Sequence, residues 1–216
     1  MMGSEDGDDD EKPVHTVYLD SFWIDQTEVT NKMYVMCAKA GGCYPPHSTR
    51  SMSHVLYFNI PEFENFPVIS VTWEQAKIYC EWVGRRLPTE AEWEKAARDT
   101  DGRTYPWGEE VDCDKANYTF GCVGDTTKVG SYSGGRSLYG VFDMAGNIEE
   151  WVSSLYLPYP YSATDGRENL SASGSRVLRG GSWSGSINDV RSANRNWLEP
   201  SKANNSIGGF RCALSE

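Results

Sequence analysis

The chain has 216 residues, 39% of them hydrophobic and 24% charged, which is typical of a folded globular protein and not of a disordered one. Its formal net charge of −11 argues against a nucleic-acid partner, because binding to a phosphate backbone requires a basic surface. No apolar run approaches the ~18–20 residues of a membrane span, so we expect no direct membrane insertion.

The N-terminal region combines an acidic stretch with extended segments. Residues 1–12 form an acidic lead-in that lacks the spaced ligands of a calcium loop. We interpret it as a solvated tail ahead of a single domain over 13–216. Residues 14–24 are rich in β-branched and aromatic side chains, a pattern that predicts strand, turn and strand.

Capping patterns indicate where helices begin and end. Thr30 is the predicted N-cap of a first helix that ends near the glycine pair at 41–42. Thr72 and Thr89 each open a capping box, in which the threonine is followed three residues later by Gln or Glu. Gly84 is the predicted end of the second helix.

The rest of the chain predicts loops and short strands. Residues 43–66 contain prolines and show no periodicity. After residue 100, Gly, Ser, Asn and Asp recur every few positions and apolar runs stay short. Loops of this length need ions, disulfides or inserted aromatic side chains to hold them. We therefore predict one α+β domain that is rich in loops, with short strands and two or three helices.

The six cysteines are an even number and contain no C-x-x-C, which argues against a zinc ribbon or a thioredoxin-like site. Close spacing predicts two loop-closing disulfides, Cys37–Cys43 and Cys113–Cys122, and leaves two cysteines over. Three disulfides would place the protein in an oxidising compartment, extracytoplasmic or at the cell surface. The alternative is six buried free thiols in a cytosolic protein.

Ordered motifs along nearly the whole chain resemble those of the formylglycine-generating enzyme (sulfatase-modifying factor) family. The resemblance implies a C-type-lectin-like α+β fold with bound calcium, and a disulfide between Cys80 and Cys212. The motifs are E-V-T-N at 28–31, G-R-R-L-P-T-E-A-E-W-E at 84–94, Y-P-W-G at 105–108, D-M-A-G-N-I-E-E-W at 143–151, R-G-G-S-W at 179–183 and G-F-R-C at 209–212.

The same resemblance implies two structural calcium sites. Carboxylates and carbonyls are hard oxygen donors that suit Ca²⁺. The first site maps onto the side chains of Asp143 and Glu150 and the carbonyls of Gly146 and Ile148. The second maps onto Asn117, the Tyr118 carbonyl and Asp125, which replaces an aspartate that the family carries four positions earlier.

Family enzymes oxidise a substrate cysteine with two active-site cysteines that bind copper(I), since soft thiolates suit that ion. The corresponding positions here are Gly185 and Val190, so we expect neither this activity nor bound copper or iron. Iron-dependent relatives use an H-x-x-x-H-x-E motif that the chain lacks. His47 and His54 do not match it, and we interpret them as exposed loop histidines.

Without the cysteines, the chain resembles the variable proteins of diversity-generating retroelements, whose last segment is diversified at adenine-rich codons. It carries R-S-A-N-R at 191–195 and I-G-G-F-R at 207–211, with one glycine more than the expected pattern, Gly208 or Gly209. Five of its eleven asparagines lie between 188 and 205. Two alternatives stay open: a static regulatory or binding domain of a larger protein, and an oxidoreductase with relocated metal ligands.

The variable segment, 183–206, is predicted to form a ligand face that binds a protein or other macromolecule. Trp197 and Leu198 are the expected anchors, because aromatic side chains supply contact area at low entropic cost. Arg191 and Arg195 are assigned to scaffold pairing with carboxylates. The alternative is that Trp197 lies in the core. The ligand face comprises Trp183, Ser184, Gly185, Ser186, Ile187, Asn188, Asp189, Asn194, Asn196, Trp197, Leu198, Ser201, Lys202, Asn204 and Asn205.

Overall fold

The computed structural model describes residues 1–204 and 206–216, and contains three α-helices, as the capping patterns predict. These are α1 (Asn31–Lys39), α2 (Trp73–Trp82) and α3 (Glu90–Arg98). Thr30, Thr72 and Thr89 are the N-caps, and each hydroxyl accepts the backbone N–H three residues later, at 3.3, 3.2 and 3.1 Å. Both predicted capping boxes are present.

Within the described residues, six short strands form two sheets. The strands are β1 (Phe22–Ile24), β2 (Glu149–Leu155), β3 (Arg176–Arg179), β4 (Asn196–Leu198), β5 (Gly208–Gly209) and β6 (Ala213–Ser215). β1 and β6 make an antiparallel ribbon, and the larger sheet has the order β4-β3-β2-β5, with β5 parallel to β2 and β4 at an edge.

The strand, turn and strand predicted over 14–24 is only partly formed. Phe22–Ile24 is a strand, but its partner is the C-terminal β6 and not a neighbouring segment. His15 instead makes an isolated antiparallel bridge with Met2. The predicted pairing is wrong because strand propensity is a local property of the sequence, whereas the pairing partner of β1 lies at the other end of the chain.

The main core lies between α2 and β2. Trp73 Nε1 donates to the Val152 carbonyl at 2.8 Å, and Trp151 Nε1 donates to the Val71 carbonyl at 3.0 Å. Both indoles are buried with their polar atoms satisfied, which keeps the cost of burying them low. Cys80–Cys212 joins this core, and all three predicted disulfides are formed.

Buried ion pairs connect the C-terminal half to α3. Arg179 Nη2 donates to Glu94 at 2.5 Å, and Arg195 Nε donates to Glu90 at 2.6 Å. Arg195 also stacks over the ring of Tyr159, 4.0 Å from its centroid. The scaffold role predicted for Arg195 is therefore confirmed.

Residues 1–12 are not the solvated tail that the sequence predicts. Met2 and Glu11 are buried, and Gly3 N donates to Glu94 Oε1 at 2.8 Å. Arg191 donates to both oxygens of Glu11, at 2.7 and 2.8 Å, which confirms its scaffold role. The acidic lead-in packs into the domain because its one buried carboxylate, Glu11, is neutralised by Arg191, which lies 180 positions away.

The disulfides bear on localisation. With all six cysteines paired, the protein fits an oxidising, extracytoplasmic environment. Over the described residues, none of the helices has the length and apolar character needed to cross a membrane.

Candidate functional site

The predicted ligand face follows strand β3, after two glycines with positive φ. Gly180 has φ 91° and Gly181 has φ 65°. A Cβ on Gly181 would lie 2.6 Å from the Asp189 carbonyl oxygen, so only glycine allows 181 and 189 to approach this closely. This approach folds 183–189 back into a compact loop at the end of the sheet.

The predicted ligand face divides by exposure. Asn205 lies outside the described residues. Ser184, Gly185, Asn194, Leu198 and Asn204 are half-buried. The exposed members are Ser186, Ile187, Asn188, Asp189, Asn196, Trp197, Ser201 and Lys202.

Trp183 is a correction to the predicted face. Its side chain is buried, and its indole Nε1 donates to the Ser206 carbonyl at 2.9 Å. Phe120 packs edge-on against it, with 5.0 Å between the ring centroids. Trp183 therefore supports the face from beneath and is not available as a contact residue.

Trp197 and Leu198 separate into an exposed and a packed residue. Trp197 is 50% exposed on the edge strand β4, with its ring centroid 6.1 Å from that of Tyr156. The alternative that Trp197 is core does not hold. Leu198 packs against the main core and is half-buried, so of the predicted anchor pair only Trp197 is presented to a partner.

The two positions that hold copper-binding cysteines in family enzymes have different environments. Gly185 lies in a half-buried turn, where its N–H donates to the Ser182 carbonyl at 2.9 Å. Val190 is fully buried in an apolar cluster with Tyr105 and Ala145. A buried valine fills its site with hydrocarbon and offers no ligand atom.

Two asparagines of the ligand face make structural bonds. Asn196 Nδ2 donates to Glu149 Oε1 at 2.7 Å, and Asn204 Nδ2 donates to Glu149 Oε2. Burial raises the pKa of Glu149, and these amide hydrogen bonds oppose that rise. Sequence reasoning missed Glu149 because it lies in a family motif, where only Glu150 was considered.

Phe120 is a second residue that sequence reasoning missed. It is 60% exposed, touches Trp183, and lies in the loop that Cys113–Cys122 closes. The predicted disulfide was the available signal, since a short closed loop holds its residues in a fixed place. An exposed apolar side chain therefore lies beside the ligand face but outside 183–206.

The first predicted calcium set fits only in part. Glu150 is buried, and its carboxylate accepts hydrogen bonds from Arg211 Nε and Nη2 and from Trp93 Nε1, at 2.7, 2.6 and 2.9 Å. The guanidinium neutralises Glu150, which disfavours it as a cation ligand. No group of three or more His, Cys, Asp or Glu side chains suited to a metal occurs within the described residues.

Asp143 suits a cation better than Glu150 does. Asp143 and Glu28 are both buried, and Glu28 Oε2 has no hydrogen-bond partner. Burial raises the pKa of Glu28, and the charge of Asp143 raises it further. Neutralising this pair takes a proton or a cation, and calcium at Asp143, with the carbonyls of Gly146 and Ile148, stays a prediction.

The second predicted calcium set also fits only in part. Asn117 Oδ1 is buried without a hydrogen-bond partner, which suits a ligand role. Asp125 is already engaged: Oδ2 accepts from both Ser51 Oγ and Ser53 Oγ at 2.6 Å, and Oδ1 accepts from Thr126 N at 2.7 Å. This site, including the Tyr118 carbonyl, also stays a prediction.

The motifs and the fold lead to one family. Residues 1–216 match the sulfatase-modifying factor enzyme 1-like domain. The chain belongs to this family. The resemblance inferred from the motifs is therefore confirmed over the whole chain, which is a sulfatase-modifying-factor domain.

The relatives of this sulfatase-modifying-factor domain carry the names of different activities. It is 38% identical over 231 residues to serine/threonine-protein kinase pkn1 of Chlamydia caviae, covering 99% of this chain but only 36% of the relative. It is 32% identical to the formylglycine-generating enzyme of Streptomyces coelicolor, covering 95% and 82%. Identity is also 32% to the inactive C-alpha-formylglycine-generating enzyme 2 of Bos taurus, covering 99% and 84%.

Two solved structures share the fold over the whole chain. Treponema denticola variable protein 1 superposes with a TM-score of 0.78 at 25% identity, covering 100% of this chain and 91% of that one. PvdO from Pseudomonas aeruginosa superposes with a TM-score of 0.80 at 26% identity, covering 100% and 90%. The predicted C-type-lectin-like α+β fold is confirmed.

Proposed function

We propose that this sulfatase-modifying-factor domain is a non-catalytic recognition module that displays its ligand face to a protein or other macromolecule. The observation that carries the proposal is the replacement of both catalytic cysteine positions by Gly185 and the buried Val190. All six cysteines that are present lie in disulfides, so none supplies the thiolate that a copper(I) site needs.

The surface chemistry of the segment supports recognition. The exposed residues of Ser186–Asp189 and Trp197–Lys202 combine polar side chains, among them Ser186, Asn188 and Ser201, with an exposed indole and an exposed isoleucine. Adaptable hydrogen-bonding residues around an aromatic anchor are the composition that paratopes use. Trp197 and Ile187 supply the apolar contact, and Phe120, which packs on Trp183, is a third exposed apolar group.

The finer proposal is that a retroelement diversifies this segment. The C-terminal motifs, the asparagine-rich segment and the likeness to a variable protein support it. The test is the DNA around the gene. A reverse transcriptase together with a near-repeat of the 3′ coding end, altered at adenines, is the expected finding. The absence of both would contradict the retroelement proposal and would leave a static binding domain as the candidate function.

A static domain of a larger protein is the second candidate. The identity to pkn1 supports it, because the chain spans about a third of that kinase. Two measurements, an assay for aldehyde product and an analysis of bound metal, separate both candidates from an oxidoreductase. We expect no aldehyde when the protein is incubated with a cysteine-containing sulfatase-type peptide, copper(I) and oxygen. Enzyme-like turnover, or stoichiometric copper or iron, would contradict a non-catalytic module.

A further inference from the structure

Glu149 is an acidic side chain whose two hydrogen-bond partners both come from the ligand face. It begins β2 and is only 7% exposed. Its two carboxylate oxygens accept from the amides of Asn196, which begins β4, and Asn204, which precedes β5. One carboxylate thus connects the start of β4 with the segment before β5, and Trp197 and Lys202 lie between these two points along the chain.

The side-chain amide of Asn196 is fixed in orientation. Its Nδ2 donates to Glu149, while its Oδ1 accepts the backbone N–H of Trp197 at 2.8 Å. An aspartate would lose the donor and an alanine would lose both bonds. The residue type at 196 is therefore determined by the scaffold, although the residue itself is exposed.

Gly208 gives independent support for the same arrangement. It lies opposite Glu149 in the parallel register of β5 and β2. A Cβ at 208 would lie 2.6 Å from Asn204 Cβ and 3.2 Å from the Asn204 carbonyl oxygen. The adjacent Gly209 has a separate reason, since its Cβ would lie 2.4 Å from the Val68 carbonyl oxygen. Both glycines of I-G-G-F-R are thus required, and Gly208 is required by Asn204.

We propose that Glu149 is the positioning residue of the ligand face, and that Asn196, Asn204 and Gly208 form with it a clamp that sets the shape of the segment 197–204. This inference rests on the proposed function. Because the clamp residues serve the scaffold, partner contact is restricted to Ser186–Asp189 and Trp197–Lys202. In a diversified chain, replacements at 196 and 204 are poorly tolerated, whereas the exposed positions between them accept change.

The test is hydrogen exchange of the backbone amides over 197–204 at neutral pH, with thermal melting recorded in parallel. Glu149→Gln places an amide nitrogen against the Asn196 or Asn204 amide, so one hydrogen bond is lost and the other is no longer charge-assisted. We expect exchange to rise tenfold or more. Gly208→Ala should give the same local signature. Asn188→Ser, which changes an exposed asparagine of the same face, is the matched control and should leave exchange unchanged.

A rescue separates positioning from general destabilisation. In Glu149→Gln combined with Asn196→Asp, the glutamine amide donates to the new carboxylate and its oxygen accepts from Asn204, so protection should return toward the wild-type value. Protection that is unchanged in Glu149→Gln and Gly208→Ala, or no recovery in the double variant, would overturn the clamp. If Glu149→Gln does not fold, Asn204→Ser replaces it with the same expectation. No ligand is needed, so failure here is distinct from failure of the proposed function.

Discussion

Arg211 and Glu150 form a fully buried ion pair in which Nε and Nη2 of the arginine donate to the two carboxylate oxygens at 2.7 and 2.6 Å. Removing one member leaves the other charge buried without compensation. We expect Glu150→Gln to lower the free energy of unfolding by about 3–5 kcal/mol. Urea denaturation measures this value. Lys32→Ala, at an exposed pair with Glu64, is the control and should cost less than about 1 kcal/mol.

The predicted calcium site gives a second prediction, because Asp143 suits a cation whereas Glu150 is already neutralised by Arg211. A cation held at Asp143 stabilises the folded state by mass action, by about 2.7 kcal/mol at a concentration of 100 Kd. A chelator should therefore lower the melting temperature of the wild type by more than that of Asp143→Asn, which retains only the second predicted site. Glu150→Gln should keep a calcium-dependent shift. A wild-type melting temperature that does not respond to the chelator contradicts the site.

The disulfides should contribute unequally to stability. Cys80–Cys212 joins residues 132 positions apart, whereas Cys113–Cys122 joins residues nine apart. In the chain-entropy description, the longer closed loop adds about 2 kcal/mol more. We expect the Cys80→Ala/Cys212→Ala variant to be less stable than Cys113→Ala/Cys122→Ala by about that amount, as measured by denaturant unfolding. Equal stabilities would mean that native-state packing at the bridges, and not loop closure, dominates.

Acid stability should depend on Asp165. The Arg167 guanidinium, which is buried, hydrogen-bonds to Asp165 and lowers the pKa of that carboxyl. A carboxyl with a lowered pKa in the folded state stabilises the protein above its unfolded pKa, and this contribution is lost as the pH falls through the folded pKa. Asp165→Asn should flatten the fall of stability below about pH 4. Parallel wild-type and variant curves would contradict this assignment.

The helices could be predicted from the sequence because their signals are local. Thr72 and Thr89 cap α2 and α3 through contacts three residues away, which a sequence displays directly. The partner of Phe22–Ile24 could not be predicted, since it lies at the other end of the chain. The burial of Glu11 depends in the same way on Arg191, which no local pattern associates with it.

The ligand face illustrates the same limit within one segment. Composition identified 183–206 as unusual, and most of its predicted members are exposed or half-buried. Composition could not separate Trp183 from Trp197, because only the fold shows that Ser206 and Phe120 enclose the first. The hydrogen bonds of Glu149 could not be predicted either, because its partners lie 47 and 55 positions away.

Partner binding through the exposed part of the ligand face is the central claim, and capture of surface-exposed proteins by the immobilised domain tests it most directly. The test variant is Ile187→Ser/Trp197→Ser/Lys202→Ser, which leaves the packed Leu198 intact. The control is Tyr18→Ser/Trp23→Ser/Leu214→Ser, which removes exposed apolar side chains on and near the β1–β6 ribbon. We predict a partner that the wild type and the control retain and the test variant loses, with all three proteins melting alike. A partner retained by the test variant, or lost only by the control, would contradict the account.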